Sequence, residues 1–297
     1  MPQSLNSKDN WRGSVSILIT TVFYGLYGVY SRMIGLSFGA FSQSWARNTI
    51  IMAITGSFLF LTHKWRPIQK QDLKWFLIWP LSGVGVMILL FIAFNHLPVA
   101  TGYFLFYSTM IASGFLSGKI FFGERMNVVK MVAILLSFSG LILIYSLDVS
   151  AEQIPYVLMA LISGFLLGLW NTLSKKMSDR YPNFQLVFID GFVSFIFGVV
   201  GAICFKESIP GLSQVESWFW VFIFAVTSIL ATSLLIYGYK HLEAQIGSII
   251  APVEVVFATL FGFLFFKEVL PPTTLFGGLL IALAAILPNA VLLRTNH

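Results

Sequence analysis

Charge is what this sequence has least of: Asp, Glu, Lys and Arg together make up 10% of it, against 57% hydrophobic residues. A soluble domain carries about 25% charged residues to cover its surface. A fully solvated exterior is therefore excluded, and much of the apolar surplus must face lipid. Cysteine is nearly absent. The single Cys204, inside an apolar run, excludes an internal disulfide and any multi-cysteine metal site. Also missing are a phosphate-binding Gly-rich loop with Lys, a His/Cys/carboxylate metal spacing and a Ser-His-Asp set. These gaps argue against an ATP-driven pump and against an enzyme, and no cofactor or metal is expected. The net charge of +6 does not point to nucleic acid, because the basic residues are divided among short loops, as membrane insertion requires.

What the chain has in abundance is apolar runs and aromatics, including 30 Phe. A bilayer core of about 30 Å needs about twenty mostly apolar residues per helix. Runs that meet this begin near Gly13, Phe38, Leu73, Val99, Val128, Ile154, Phe184, Ser217, Gln245 and Pro272. The first follows a polar stretch ending at Arg12. It is too long for a signal-peptide core and has no small-residue cleavage site after it, so it reads as a retained first helix. The expected fold is an all-α integral membrane protein with ten transmembrane helices.

Loop charges orient these spans. With the N-terminus inside, the inner set is Lys8, Arg12, Lys64, Arg66, Lys70, Lys74, Lys119, Arg125, Lys130, Lys175, Lys176, Arg180, Lys240 and Arg294. The outer set is Arg32, Lys206 and Lys267, and Arg47 lies within a span. That bias predicts a multi-pass protein of the cytoplasmic (inner) membrane with both termini in the cytoplasm.

The two halves align with each other. At an offset of 143, Gly25, Leu26, Ser31 and Arg32 meet Gly168, Leu169, Ser174 and Lys175, Tyr27 meets Trp170, and Pro67 meets Pro210. After small indels, His96-Leu97 meets His241-Leu242, Phe121-Phe122 meets Phe265-Phe266, and Glu124 falls opposite Glu268. Five spans is an odd number, so a second copy enters the membrane upside down. Residues 1–150 and 151–297 are thus expected to be two inverted five-helix repeats, a plan that places a substrate site near midplane where the copies meet.

The fourth and ninth spans close on Gly118-Lys119-Ile120-Phe121-Phe122-Gly123-Glu124 and Gly262-Phe263-Leu264-Phe265-Phe266-Lys267-Glu268. These stretches resemble the drug/metabolite transporter superfamily, specifically its EamA-type ten-helix members, although Lys267 stands where the second copy usually has Gly. Arg47, after Phe41 and Gln43, matches an Arg often seen in that family, and Glu254 lies where many members carry Glu followed by Pro. Here Val255 follows and the proline comes earlier, as Pro252. The resemblance covers essentially the whole chain. It implies a transporter of amino acids or other metabolites and names no substrate.

Glu254 is the most informative side chain. It lies about nine residues into a roughly twenty-residue span, where a charged side chain costs on the order of 2.5–3.5 kcal/mol unless it faces a cavity or partner. That makes it a candidate for substrate binding and for proton coupling; a carboxyl bonded to a neighbouring helix is the plainer reading. Arg47 and Asp190 match at the 143 offset and are candidate substrate-binding and gating groups respectively, or fixed tethers between helices. Tyr27, Trp170, Asn171 and Tyr107 are candidate cavity residues, since aromatic faces stack on rings and hold ammonium groups. Tyr24, Tyr27 and Tyr30 recur every three residues, and Tyr103 shares a face with Tyr107. His96 and His241 read as interfacial residues. Gly114 with Gly118, Ala258 with Gly262 and Gly164 with Gly168 read as packing seams, and Glu124 and Glu268 as helix-end anchors.

The expected activity is secondary active transport by alternating access, first an amino-acid or related zwitterion exporter with the proton as candidate coupling ion. The alternative is an importer or exchanger of a larger metabolite such as a nucleoside, cofactor or sugar derivative. A non-transporting membrane scaffold or a lipid enzyme is the remaining reading. The expected partners are a small-molecule substrate and the lipid bilayer, with the chain a monomer or homodimer.

Overall fold

The structure, a computed structural model, describes residues 7–35, 37–145, 150–208 and 210–295; the side chains of Lys8 and Arg294, both counted above on the inner side, lie outside the described residues. The described residues form helices and short connections. The helices are α1 (Ser7–Gly25), α2 (Tyr27–Ile34), α3 (Ala40–Leu61), α4 (Leu73–Phe94), α5 (Val99–Phe122), α6 (Val128–Ile144), α7 (Ile154–Leu173), α8 (Asn183–Cys204), α9 (Val215–Lys240), α10 (Ala244–Ile250), α11 (Val253–Phe266) and α12 (Pro272–Thr295).

Taking α1 with α2 and α10 with α11 as single stretches, seven of these are long and apolar enough to cross a membrane, while α6 and the Pro272–Pro288 part of α12 are shorter apolar stretches. Helix α3 is long enough, but Ser42, Gln43, Ser44, Arg47 and Asn48 crowd its first half. The polarity pattern is that of a protein dissolved in lipid. Phe60, Leu135, Ile203 and Phe276 are exposed, whereas Thr20, Thr55, Ser113, Ser163 and Thr172 are buried. The buried hydroxyls bond carbonyls of their own helix, as Thr55 does to Ile51 and Thr172 to Gly168, or carbonyls of a neighbour. Satisfying every polar group internally is obligatory where no water is present.

Helix packing is reciprocal. Helix α3 packs on α8 and α6 on α12; α4 packs on α7 as α9 does on α1, and α5 packs on α7 as α11 does on α1. Particular bonds repeat as well: Thr20 Oγ1 donates to the Ala231 carbonyl at 3.3 Å, and Ser163 Oγ to the Val86 carbonyl at 3.0 Å. The α5–α7 crossing is close. A Cβ added at Gly168 would stand 2.5 Å from the Met110 carbonyl oxygen.

Two helices are interrupted. Between α10 and α11, Pro252 lacks an N–H, and the chain resumes with the tight bonds Glu254 N–H to Ala251 O and Val255 N–H to Pro252 O. The first span, expected to be continuous, breaks at Leu26, whose N–H bonds the Phe23 carbonyl. Tyr27 and Tyr30 both follow the break, in α2, and both pack on Phe224, while Tyr24 before it meets the Tyr27 ring. At the basic end of the molecule, the buried Asp72 accepts from Arg180 Nη1 at 2.7 Å and from Tyr181 Oη at 2.8 Å, clamping the α3–α4 loop to the start of α8. Burial pushes the Tyr181 phenol above its ordinary range, and Asp72 adds to the shift.

Candidate functional site

Between the two sets of helices lies a cavity of about 460 Å³. Its walls contain Glu254, Arg47, Tyr27, Trp170, Asn171, Tyr107 and Asp190, so every residue singled out from the sequence as a binding or gating candidate faces one space. They come from α2, α3, α5, α7, α8 and α11.

The polar groups are arranged on three walls. On the first, Arg47 Cζ sits 4.3 Å from the Phe224 ring centroid and 5.7 Å from that of Tyr27. Its guanidinium is held by ring faces, and Nε finds no hydrogen-bond partner among the described residues. On the second, Trp170 Nε1 donates to Asp190 Oδ1 at 2.8 Å. The indole is itself fixed by stacking on Trp79, whose Nε1 donates to the Trp170 carbonyl at 2.9 Å. On the third, Tyr107 Oη donates to Glu254 Oε1 at 2.5 Å. Tyr107 stacks on Tyr103, which in turn stacks on Tyr145.

Glu254 projects from the first turn of α11 because Pro252 ends the preceding helix just before it. A side chain at a broken helix can face a cavity while its backbone stays satisfied within the protein. Asn171 is 3% exposed, with its Nδ2 3.8 Å from Met110 Sδ and its Oδ1 unpartnered among the described residues. A cavity with one cation, two carboxylates and seven aromatic side chains among its described lining residues is suited to holding a small solute with charges of both signs. Among the described residues no group of three or more His, Cys, Asp or Glu could hold a metal.

Other expectations part from the site. Tyr30 is buried against Trp220 and Phe224, with its Oη 3.2 Å from Thr227 Oγ1, outside the cavity. His96 stacks on Tyr156, and His241 Nδ1 lies 2.9 Å from the Tyr237 carbonyl; neither lines the cavity. Tyr145, Asn48, Ser194 and Thr232 do line it and escaped the sequence reading. Tyr145 follows an apolar run, where an aromatic reads as an interface anchor. A Ser or Thr in an apolar helix signals nothing until its face is known.

A second space of about 400 Å³ shares Gly25, Gly28, Tyr103, Tyr145, Val255 and Ala258 with the first and ends at Arg32 and Glu268. It is a vestibule. At the opposite end, Ile17 and Leu235 line the cavity and are fully buried.

Lipid-type polarity outside, a broken helix and a polar cavity inside, and a vestibule at one end define a multi-pass membrane protein built around a solute-sized chamber. The chain belongs to the EamA-like transporter family, whose sequence model matches residues 11–146 and again 154–289. It is therefore a membrane transporter. It is 25% identical over 286 residues, 93% of this chain and 95% of the relative, to an uncharacterized transporter of Archaeoglobus fulgidus. It is 22% identical over 220 residues, 74% of this chain and 76% of the relative, to the pseudopaline exporter CntI of Pseudomonas aeruginosa. A solved crystal structure shares the fold with a TM-score of 0.80 at 16% identity, covering 95% of this chain and 98% of that one.

Proposed function

We propose that this protein is a secondary active exporter of an amino acid or related zwitterion, working by alternating access across the cytoplasmic membrane with both termini inside. It does so as ten spans in two inverted five-helix repeats, residues 1–150 and 151–297. The observation that carries this reading is the unpaired Arg47 Nε facing the same chamber as two carboxylates. A substrate carboxylate pairs with Arg47 and its ammonium with Glu254, and aromatic rings enclose the body. Asp190, tethered to Trp170, shifts as the chamber changes side, and Glu254 exchanges a proton for the substrate. Two family-model matches and the reciprocal packing of α1 and α7 support the repeats. The exporter among the relatives supports the direction. The partners are the substrate and the bilayer, and the chain acts as a monomer or homodimer.

A chamber of 460 Å³ lies within the range of about 300–1,000 Å³ that takes drug-sized ligands. That room favours, as the second reading, exchange of a larger metabolite such as a nucleoside, cofactor or sugar derivative.

Proteoliposomes loaded with labelled amino acids lose label faster than protein-free vesicles under the first reading. Counterflow against a metabolite panel separates the second. Arg47→Gln weakens substrate binding about 10- to 100-fold, the equivalent of one charge-assisted hydrogen-bond pair, as read from the substrate concentration giving half-maximal thermal stabilisation. No release and no stabilisation by any panel member overturns the proposal.

A further inference from the structure

Helices α4, α5 and α7 bring two lysines together at the basic end of the molecule. Lys176, in the turn that follows α7, holds its ammonium 5.5 Å from the Trp75 ring centroid, 5.8 Å from that of Phe121 and 5.2 Å from that of Phe122. It also donates to the Phe121 carbonyl at 3.0 Å, one of those that the end of α5 leaves without a helical partner. Lys74, in the first turn of α4, holds its ammonium 5.1 Å from the same Trp75 ring. Trp75 and Phe121 meet edge to face at 5.6 Å, which joins the start of α4 to the end of α5.

The carboxylates around this pair are taken by other cations. Asp72 holds Arg180 at 2.7 Å, Asp179 lies 3.3 Å from Lys240, and Glu243 lies 2.6 Å from Lys130. Glu124 lies 3.3 Å from Lys175 and accepts the N–H groups of Ala244 at 2.7 Å and Gln245 at 2.9 Å, at the start of α10. Lys74 and Lys176 enter no such pair among the described residues. The leading charges acting on Lys176 are Lys74 and Arg180, both cations. Two ammonium groups gathered on one indole repel each other, and the ring faces offset only part of that. An ammonium has three N–H donors, and Lys176 spends one on the Phe121 carbonyl. Beside the lysines the surface turns apolar: Leu73 and Leu77 on α4, and Leu116 and Ile120 on α5, are exposed.

We infer that Lys74 and Lys176 form a binding site for the headgroup phosphate of an anionic phospholipid. The ligand is an anion, because an anion between the two ammonium groups replaces their repulsion with attraction. It carries acyl chains, because the lysines sit on a ring of aromatics where the polar end of the molecule meets its lipid-facing apolar surface. The phosphate takes both lysines as point charges, Trp75 lies at headgroup level as interfacial tryptophans do, and the chains run along Leu77 and Ile120. Basic pockets between membrane helices hold lipid phosphates in this way. A zwitterionic lipid fits less well, since it brings a cation of its own to a site already positive. Lys74, Trp75 and Lys176 stand apart from the residues that line the chamber, so the inference holds whatever solute the protein carries.

The test is thermal stabilisation of the full-length protein in detergent by dioleoyl phosphatidylglycerol, with dioleoyl phosphatidylcholine and inorganic phosphate as the other arms. Phosphatidylglycerol is expected to raise the melting temperature at concentrations about tenfold or more below those phosphatidylcholine needs. Inorganic phosphate at the same concentrations is expected to leave it unchanged. Each lysine removed weakens the effect about fivefold, the worth of one cation at the membrane surface, so Lys74→Gln with Lys176→Gln shifts the half-maximal concentration about 25-fold. Glutamine at 176 can still donate to the Phe121 carbonyl. Where that double variant yields no folded protein, Lys74→Gln alone, at an exposed position, is read for its fivefold. Lys64→Gln with Lys70→Gln removes the same charge from exposed positions at the same end, and solvent screening holds its shift under about threefold. Equal stabilisation by the two lipids, stabilisation by inorganic phosphate, or equal shifts in the two double variants overturns the inference.

Discussion

Replacing Glu254 with glutamine is expected to cut efflux from proteoliposomes about 100-fold while leaving the protein's melting temperature within a few degrees of the parent. Glutamine keeps the side chain's shape and still offers an oxygen to Tyr107 Oη, so the wall made by α5 and α11 stays intact. What it loses is the negative charge. A charge-assisted bond to a substrate ammonium contributes about 1.5–3 kcal/mol, and the upper end of that range corresponds to about 100-fold. Under the proposed proton exchange at Glu254, gradient-driven efflux falls further than counterflow, which needs no proton. Tyr107→Phe is a useful comparison: it leaves the charge and removes one donor, and should cost less than a tenth as much. Unchanged efflux in Glu254→Gln would remove this carboxylate from the mechanism, and a large loss of melting temperature would recast it as a structural tether.

Gly164→Val is expected to prevent recovery of stable protein. At the α5–α7 crossing, a Cβ on Gly164 would overlap the Phe106 carbonyl oxygen, and Gly168 one turn later meets the Met110 carbonyl in the same way. The obstacles are backbone atoms of a packed helix, so no rotamer change relieves them. Overpacking costs about 1–3 kcal/mol where side chains can give, and valine puts three carbons where none fits. A fall in melting temperature of about 5 °C or more follows from a loss of about 3 kcal/mol or more in a chain of this size. Size-exclusion chromatography after stepwise heating in detergent reads it. Gly211→Ala, in a loop where the nearest atom to an added Cβ is Ser213 Oγ at 3.4 Å, should melt with the parent. A Gly164→Val protein that also does so would mean the helices are not packed this closely.

The helical plan was largely legible because lipid imposes length and polarity directly on the sequence. Runs expected to begin at Leu73, Val99, Val128, Ile154 and Pro272 begin there, and Gln245 is one residue from the start of α10. The break at Leu26 was not legible. No proline marks it; it arises where α1 meets α11 at Gly25, whose added Cβ would lie 2.8 Å from Phe257 Cβ. Glu254, Arg47 and Asp190 could be picked out because an ionisable residue within a span is costly and so conspicuous. Their meeting in one chamber could not, since α3, α8 and α11 are far apart in the chain. Glu124 and Glu268 read alike as helix-end anchors, and the sequence alone does not distinguish them.

What the sequence determined by itself was the membrane, the helices, the duplication and the few ionisable groups within spans, because each follows from local composition or from the chain's likeness to itself. Tertiary structure decided which aromatics face the chamber, how Arg47 is held, and that Glu124 grips the start of α10. Those outcomes depend on which face each helix turns inward, and that is set by contacts between segments far apart in the chain, so only the packed arrangement decides them.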